Sequence, residues 1–477
     1  LLESLLLSCG SGEPADTRPP DVLLVVLDTV RADRVSSYGY SRATTLQIDA
    51  VSKFGVSFDN VITPGSWTYP NHASLFTGEY PWIHGAHLSP YGSGKGDQFD
   101  VAAVTSIRED LPTLAEKFSA AGYRTVAISS NEWLSDELGV TRGFDVVKVI
   151  NNDKNTLDNS IKEIRAEHED GKPLFLFVNL MPAHSPYYDG PGEFSLPNQE
   201  FLDPKTAPEW VRPYLLTGNL KGVELELAKA EGDDLTGQTR FIRGDLPVSP
   251  EELDSIGQLY DAGVRISDFF FKTVFTAWAE RENESIIVVT SDHGESLGER
   301  GHIGHQVFVD PSILRVPLVI VAPSKIPMDI RISQPVQWHD LHPTLLDLAG
   351  LEQSDRSLLP LITGEKQSNP VILAKAWKRL EWASLVGGRY QYDWHLYQTE
   401  DFALVWNGHD DDKRLVELYD LASDASMGNN IAEAKPEKVT ELLNLAKEAF
   451  AKEVESEVRE ISPELRKQLE AMGYIVQ

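Results

Sequence analysis

Residues 21–28, DVLLVVLD, decide the fold, because the apolar run between the two aspartates, rich in β-branched valine, has no polar face. A strand with apolar side chains on both sides is typical of a parallel sheet that helices cover on both faces. Helical patterns, such as residues 110–122 and Pro250 to Glu282, alternate with four further runs of this kind. Those runs lie at residues 124–130, 173–180, 285–292 and 316–323. The alternation predicts an α/β fold with a doubly wound, mostly parallel sheet flanked by helices.

The pattern of the chain changes near residue 366. Short strand-like segments follow at residues 370–377, 383–394 and 402–408, and amphipathic helices follow near residues 436–453 and 463–472. We therefore predict a main domain over residues 21–365 and a smaller C-terminal α+β subdomain over residues 366–477. Residues 189–250 lack clean periodicity and contain several Pro and Gly residues. They are predicted to form an insertion near the mouth of the site.

The first residues, 1–20, are predicted to be a signal or tether. A leucine-rich run leads to Ser8 and Cys9, and a Gly, Ser and Pro-rich stretch follows. This resembles the cleavage box of a bacterial lipoprotein signal, in which the cysteine is lipidated. We expect an exported, periplasmic or cell-surface protein with a membrane tether through Cys9. Because Glu3 interrupts the apolar run and no basic segment precedes it, a terminus without a targeting role is the alternative.

Charge and cysteine content exclude two classes of function. Lys and Arg total 43 and Asp and Glu total 73, so the net charge is -30. A chain this acidic repels the phosphate backbone, which excludes nucleic acid as a partner. Cys9 is the single cysteine, so neither an internal disulfide nor a multi-cysteine metal site is available.

Polar residues that could carry chemistry follow the predicted strands. Ligands of open α/β sheets bind beyond the carboxyl ends of the strands. Two carboxylates and imidazoles gathered there would suit one divalent cation. Each of these residues taken alone is more often a turn or surface residue than a site residue. Their shared location at the ends of strands is what indicates a site. The residues concerned are Asp28, His184, Asp292, His293, His302 and His305.

Residues 65–78, GSWTYPNHASLFTG, place Thr68 just before Pro70, at the start of an apolar helix. Proline suits the first turn of a helix, and the free amides of that turn favour an anion. A threonine there is usually an N-cap. Its hydroxyl becomes a nucleophile when coordination to a divalent metal lowers its pKa. We predict that Thr68 caps the helix, presents the nucleophile and joins Asp28, Asp292 and His293 as a metal ligand.

These motifs resemble those of the sulfatase family of the alkaline phosphatase superfamily, in family order from residue 21 to residue 433. The resemblance implies an alkaline-phosphatase-like fold with its catalytic domain over residues 21–365. It also implies a hydrolase or group transferase that acts on anionic esters of small molecules, lipids or glycans. The matching segments are residues 21–40, 55–81, 259–268, 288–306, 315–323, 338–351 and 416–433.

Two departures from the family pattern bear on the chemistry. Ordinary sulfatases carry C/S-x-P-x-R, whose first residue is oxidised to formylglycine, whereas this chain reads TYPNH, with Thr68 first and His72 in place of arginine. The usual Asp-Asp and Asp-Asn pairs are replaced by Asp28–Thr29 and Asp292–His293. This resembles the metal site of the superfamily's phosphodiesterases and head-group transferases, where threonine is the nucleophile. The added imidazole favours one zinc or manganese ion over calcium.

The resemblance also assigns roles to the remaining histidines. By family position, His184 and His305 hold the anion or protonate the leaving oxygen, and His72 orients Thr68. Formylglycine expels sulfate through its second hydroxyl, and a threonine ester has no such exit, so phosphate or phosphonate esters are the favoured substrates. Two alternatives stay open: a sulfuric ester hydrolase without formylglycine, and a non-catalytic protein that kept the cleft for binding.

Overall fold

The structure is a computed structural model, and the part of the chain that it describes has several gaps. The tether residue Cys9 and most of the predicted insertion lie outside it. No helix in the described part is long and apolar enough to cross a membrane. The described residues are 18–88, 104–150, 153–166, 171–185, 187, 237–281, 283–365, 371–379, 383, 386–408, 415–454, 458–459 and 461–471.

Strands and helices alternate through the described main domain, and strands predominate after it. In chain order the strands are β1 (Asp21–Leu27), β2 (Val56–Ile62), β3 (Val104–Thr105), β4 (Arg124–Ser129), β5 (Val146–Val149), β6 (Leu174–Leu180), β7 (Ser285–Thr290), β8 (Ser296–Leu297), β9 (Ile303–Gly304), β10 (Arg315–Val321), β11 (Ile330–Ile332), β12 (Val336–Gln337), β13 (Ile372–Ala376), β14 (Trp394–Gln398), β15 (Phe402–Trp406), β16 (Val416–Asp420) and β17 (Val458–Arg459). The helices are α1 (Leu46–Ser52), α2 (Thr68–Thr77), α3 (Pro81–His84), α4 (Leu114–Ala120), α5 (Asp153–Arg165), α6 (Gly237–Arg243), α7 (Pro250–Trp278), α8 (Pro311–Leu314), α9 (Leu341–Leu348), α10 (Leu359–Ile362), α11 (Pro436–Phe450) and α12 (Pro463–Ala471).

A nine-stranded sheet forms the centre of the main domain. Its order is β11-β2-β10-β7-β1-β6-β4-β5, with β12 also paired to β2. Only β10 runs against the others in this sheet, because it pairs antiparallel with both β7 and β2. The predicted fold class is thereby confirmed: a mixed sheet with a parallel core lies between helices. The eight strands that share one direction end at the same edge.

The central strand β1 is buried on both faces, as its apolar run predicts. Val22, Leu24 and Val26 belong to one core cluster, which includes residues of α2, α4 and α9. Leu23, Val25 and Leu27 point the other way, into a cluster that includes residues of α5 and α7. Because successive side chains of a strand alternate between faces, this apolar run requires a helical layer on each side.

A second sheet, β13-β14-β15-β16, is antiparallel and forms the core of the C-terminal part. Helix α11 packs on it through Leu442, Leu443 and Ala446. This confirms the predicted C-terminal antiparallel sheet, although the strand expected over residues 383–394 is wrong in position. A 3-10 turn occupies Gly388–Gln391, with φ of 73° at Gly387 and 57° at Gly388, and β14 starts only at Trp394.

Helix α7 approaches the site edge of the sheet because it carries glycine at the contact. A Cβ atom at Gly263 would lie 2.4 Å from the carbonyl oxygen of Pro182, in the loop after β6. The helix starts cleanly, since Ser249 and Glu252 form a capping box and Pro250 follows the cap. Its 29 residues therefore hold a fixed position beside the ends of β1 and β6.

Gly263→Ala is expected to lower the free energy of unfolding by about 1–3 kcal/mol, because the added methyl group overlaps a backbone carbonyl that cannot move freely. Gly257→Ala on the same helix is the matched control. A Cβ atom at Gly257 would lie 3.6 Å from Nη1 of Arg34, which is an ordinary contact. Alanine has the higher helix propensity, so this variant should be neutral or more stable by up to about 1 kcal/mol. Urea unfolding measures both, and equal losses would contradict the close approach.

Candidate active site

The site begins where β1 ends, at Asp28. Its side chain is fully buried. Oδ2 accepts hydrogen bonds from Nδ2 of Asn131 at 2.9 Å and of Asn179 at 3.4 Å. Oδ1 has no hydrogen-bond partner among the described residues. One oxygen of the carboxylate is thus held in place while the other faces the site.

Strand β7 lies beside β1 and delivers Asp292 and His293 to the same edge. Oδ1 of Asp292 accepts from the amides of Thr29 at 3.3 Å and His293 at 3.0 Å. Oδ2 again has no hydrogen-bond partner among the described residues. Nδ1 of His293 donates to the Gly294 carbonyl at 2.9 Å, so Nε2 faces the carboxylates. It lies 3.7 Å from Oδ1 of Asp28 and 3.4 Å from Oδ2 of Asp292.

Thr68 reaches this cluster from the start of α2. Its hydroxyl oxygen lies 3.3 Å from Nε2 of His293 and accepts a hydrogen bond from Nδ2 of Asn131 at 3.2 Å. The residue at the N-cap is Trp67, and no side chain caps the helix. The capping role predicted for Thr68 is therefore wrong, because its hydroxyl points to the buried polar cluster instead of the first-turn amides.

Burial shapes the charges of the cluster. It raises the pKa of Asp28 to about 6, with a further contribution from the negative charge of Asp292. Burial likewise raises the pKa of Asp292 to about 7. Burial lowers the pKa of His293 to about 3, which keeps its imidazole neutral and able to bind a metal. Two carboxylates that face each other in a dry site are stabilised by a cation between them.

The donor atoms fit one divalent cation. The ligand atoms of Asp28, Asp292 and His293 all lie within 4.8 Å of one another, and Thr68 stands beside them. Ligands about 2.1 Å from a tetrahedral metal lie roughly 3.4 Å apart. Nε2 of His293 lies 3.3 to 3.7 Å from the oxygens of Thr68, Asp28 and Asp292, which fits this spacing. The two carboxylate oxygens that lack hydrogen-bond partners are the ones that face this point. The structure thus brings together all four residues predicted to hold the metal.

His305 and His184 extend the cluster away from Thr68. The ring centroid of His305 lies 4.3 Å from that of His293 and 5.2 Å from that of His184. Nδ1 of His305 lies 3.1 Å from Oε1 of Glu295, a fully buried carboxylate, so Nε2 is left toward the site. Nε2 has no hydrogen-bond partner among the described residues. The two histidines thus continue the row of imidazoles that starts at His293.

His72 contacts Thr68 through the backbone. Its Nδ1 donates to the Thr68 carbonyl at 2.9 Å and lies 3.6 Å from Oδ2 of Asp292. The ring packs against Phe177 and Trp338, and burial lowers the pKa of His72 to about 3. A neutral imidazole therefore lies between the first turn of α2 and Asp292.

Asn131 and Arg379 belong to the site and were not predicted. Asn131 follows β4 by two residues, and its Nδ2 touches both Asp28 and Thr68. The strand-end rule that selected Asp28 would also have found it. Arg379 comes from the C-terminal part, donates Nη1 to Oε1 of Gln306, and contributes to the lowered pKa of His305. No sequence signal marks it, because the contact depends on how the two sheets pack.

Comparison with known proteins gives two family matches. The model described as Sulfatase matches residues 20–351, more than half of the chain. The model described as N-sulphoglucosamine sulphohydrolase, C-terminal, matches residues 298–455. A Delta 4,5-hexuronate-2-O-sulfatase of Bacteroides thetaiotaomicron is 24% identical over 485 residues, covering 89% of this chain and 86% of that protein.

Solved structures show the same fold at low identity. A 2-O GAG sulfatase superimposes with a TM-score of 0.64 at 19% identity, covering 94% of this chain and 96% of its own. The phosphonate monoester hydrolase of Agrobacterium radiobacter superimposes with a TM-score of 0.62 at 18% identity, covering 91% and 95%. One fold thus accommodates proteins named for sulfuric and for phosphonic esters.

Removal of one buried charge is expected to stabilise the metal-free protein. Asp292→Asn should raise the unfolding temperature of metal-stripped protein by a few degrees, because Asp28 then no longer faces a second buried carboxylate. Zinc should stabilise the unsubstituted protein, by roughly 2.7 kcal/mol at a free concentration about 100 times Kd, and should not stabilise the variant. Thermal unfolding with and without zinc measures both effects.

Asp261→Asn serves as the control for this experiment. Asp261 is equally buried but pairs with Arg34 at 3.1 Å and Arg42 at 2.7 Å. Its replacement should destabilise the protein by about 1–3 kcal/mol and leave the zinc effect in place. If both variants shift stability in the same direction, the carboxylates of the cluster do not repel each other as argued.

Proposed function

Since the chain belongs to the sulfatase family and is a hydrolase of sulfuric or phosphoric esters, we propose which ester it cleaves. The substrate is a phosphate or phosphonate ester, and the nucleophile is a threonine. The observation that carries the proposal is the position of the Thr68 hydroxyl. It lies 3.3 Å from Nε2 of His293, and it shares the Nδ2 group of Asn131 with Asp28. A hydroxyl so placed lies within a metal-ligating set, not in a helix cap.

We assign Asp28, Thr68, Asp292 and His293 as the residues that hold one divalent ion. The imidazole favours zinc or manganese, and the carboxylate and hydroxyl oxygens also allow calcium. A bound divalent cation lowers the pKa of a coordinating hydroxyl and offsets negative charge on a substrate oxygen. Asn131 keeps Asp28 and Thr68 in register with each other, since one amide group donates to both.

The reaction proceeds in two displacements. Oγ1 of Thr68 attacks phosphorus, loses its proton and forms a phosphothreonine, while the bond to the alcohol oxygen breaks. His305, a neutral imidazole because burial lowers its pKa, takes up at Nε2 the proton that Oγ1 loses. Together with His184 it passes this proton to the leaving oxygen. Glu295 holds Nδ1 of His305, which directs Nε2 to the substrate. Water, or an acceptor alcohol in a group transfer, then attacks phosphorus and returns Thr68 to its hydroxyl form.

His72 supports this arrangement without touching the substrate. By binding the Thr68 carbonyl it fixes the first turn of α2, whose amides face the anion. Arg379, beside His305, adds positive charge at the far end of the histidine pair. The substrate we propose is a phosphorylated small molecule, lipid or glycan. We further propose that the protein acts after export, tethered through Cys9.

Sulfuric ester hydrolysis is the second candidate, and the relatives favour it. The Bacteroides protein named above is a hexuronate-2-O-sulfatase that covers most of the chain. A sulfated threonine, however, lacks the second hydroxyl through which a formylglycine hydrate expels sulfate. Turnover of sulfate would then require water to attack sulfur directly. The threonine therefore favours phosphorus.

Activity on matched aryl esters separates the two candidates. Metal-stripped protein is reloaded with zinc, manganese or calcium and assayed on a phosphate monoester, a phosphate diester, a phosphonate monoester and a sulfate. We expect zinc or manganese to restore phosphorus turnover well above sulfate turnover. Dominant sulfate hydrolysis would reject the phosphorus assignment, and turnover without metal would reject the metal site.

Thr68→Ala is expected to lower kcat on the best phosphorus substrate by about 10³-fold or more, because it removes the attacking oxygen. Thr68→Ser keeps the oxygen and should retain measurable turnover. Acid quenching during turnover should leave phosphate on the peptide that contains Thr68, as seen by mass spectrometry. Full activity in Thr68→Ala would end the nucleophile assignment.

A further inference from the structure

The turn after β1 carries a strained residue. Thr29 has a φ of 62°, in the left-handed region that β-branched side chains rarely adopt. Its amide donates to Oδ1 of Asp292 at 3.3 Å, and its hydroxyl donates to the Asp28 carbonyl at 2.7 Å. The unusual conformation thus carries an amide from the end of β1 to the carboxylate at the end of β7.

Tyr260 holds this turn from outside. Its hydroxyl donates to the Thr29 carbonyl at 2.6 Å and accepts from the Arg31 amide at 2.8 Å. One phenolic oxygen therefore fixes the backbone on both sides of Val30. The ring is fully buried on α7. Both hydrogen bonds go to backbone atoms, so the side chain acts on the conformation of the turn.

The elements on both sides of this contact are themselves fixed. The guanidinium of Arg31 binds Asp33 at 2.7 Å and Glu299 at 2.7 Å. Asp261, next to Tyr260, binds the Arg34 side chain. Helix α7 is therefore joined to the segment that follows the turn by the Asp261–Arg34 ion pair as well as by the phenol. A strained residue persists only where its surroundings determine its conformation in this way.

We propose that Tyr260 is a positioning residue for the candidate metal site and acts through Thr29. The hydroxyl keeps Thr29 in the left-handed conformation, so that its amide orients Asp292 and leaves Oδ2 of that carboxylate facing Asp28 and His293. Without the hydroxyl, Thr29 relaxes toward negative φ and withdraws its amide. This inference rests on the metal site of the proposed function, and it does not depend on Thr68 being the nucleophile.

Zinc affinity of the metal-stripped full chain, measured by competition with a chromophoric chelator, tests the inference. Tyr260→Phe should weaken zinc binding by about 10- to 100-fold, as losses of outer-sphere partners do. Tyr38→Phe is the matched control, because the Tyr38 hydroxyl also makes two backbone hydrogen bonds, both with Leu318 at 3.1 Å. The zinc affinity of Tyr38→Phe should stay within about 2-fold of that of the unsubstituted protein. This should hold even if its unfolding temperature falls as much as that of Tyr260→Phe.

A second substitution identifies the route of the effect. Glycine adopts positive φ without strain, so in the Thr29→Gly background the turn no longer needs the phenol. Tyr260→Phe should then cost less than about 3-fold in zinc affinity. Equal costs in both backgrounds, an unchanged affinity in Tyr260→Phe, or an equal loss in Tyr38→Phe would each overturn the inference. Absence of zinc binding by the unsubstituted protein would instead reject the metal site itself.

Discussion

Two buried carboxylates that face each other determine the organisation of this protein. Asp28 and Asp292 end adjacent parallel strands, and each keeps one oxygen without a hydrogen-bond partner among the described residues. Ionised carboxylates in such a dry environment are costly unless a cation or a proton lies between them. The neutral imidazole of His293 and the hydroxyl of Thr68 complete a donor set that fits a divalent metal. The surrounding fold holds this unfavourable pair together.

Sheet order explains why these residues meet. The strands β2, β7, β1, β6 and β4 all point the same way, so the segments that follow them converge on one edge. They deliver the residues of the site, each from a different strand. Strand β10 runs in the opposite direction and lies between β2 and β7. The strand that leads to α2 is therefore not a direct neighbour of β7. The residues delivered are Thr68, Asp292, Asp28, His184 and Asn131.

Much of this could be predicted from the sequence because apolar runs and strand ends are local signals. All five predicted buried runs became strands of the large sheet, and the strand-end rule located Asp28, Asp292, His293 and His184. The direction of β10 could not be predicted, because an apolar run indicates a buried strand and not whether the strand is parallel or antiparallel to its neighbours. Arg379 could not be predicted either, since its contact with Gln306 joins distant parts of the chain. The wrong capping prediction at Thr68 has the same cause. Its hydroxyl could bind the nearby helix amides or side chains distant in sequence, and the packing of the strands places it against His293 and Asn131.

The exchange of an arginine for His72 fits a threonine nucleophile better than a formylglycine. A guanidinium at that position would stay charged, and ordinary members of the family carry that arginine together with formylglycine. His72 is neutral, because burial lowers its pKa to about 3, and it uses Nδ1 on the Thr68 carbonyl. In the proposed mechanism Asp292 helps to hold a cation, which lowers the pKa of the Thr68 hydroxyl. In this proposal the residues at positions 68, 72 and 293 act together, because a threonine nucleophile depends on the cation that His293 would help to hold.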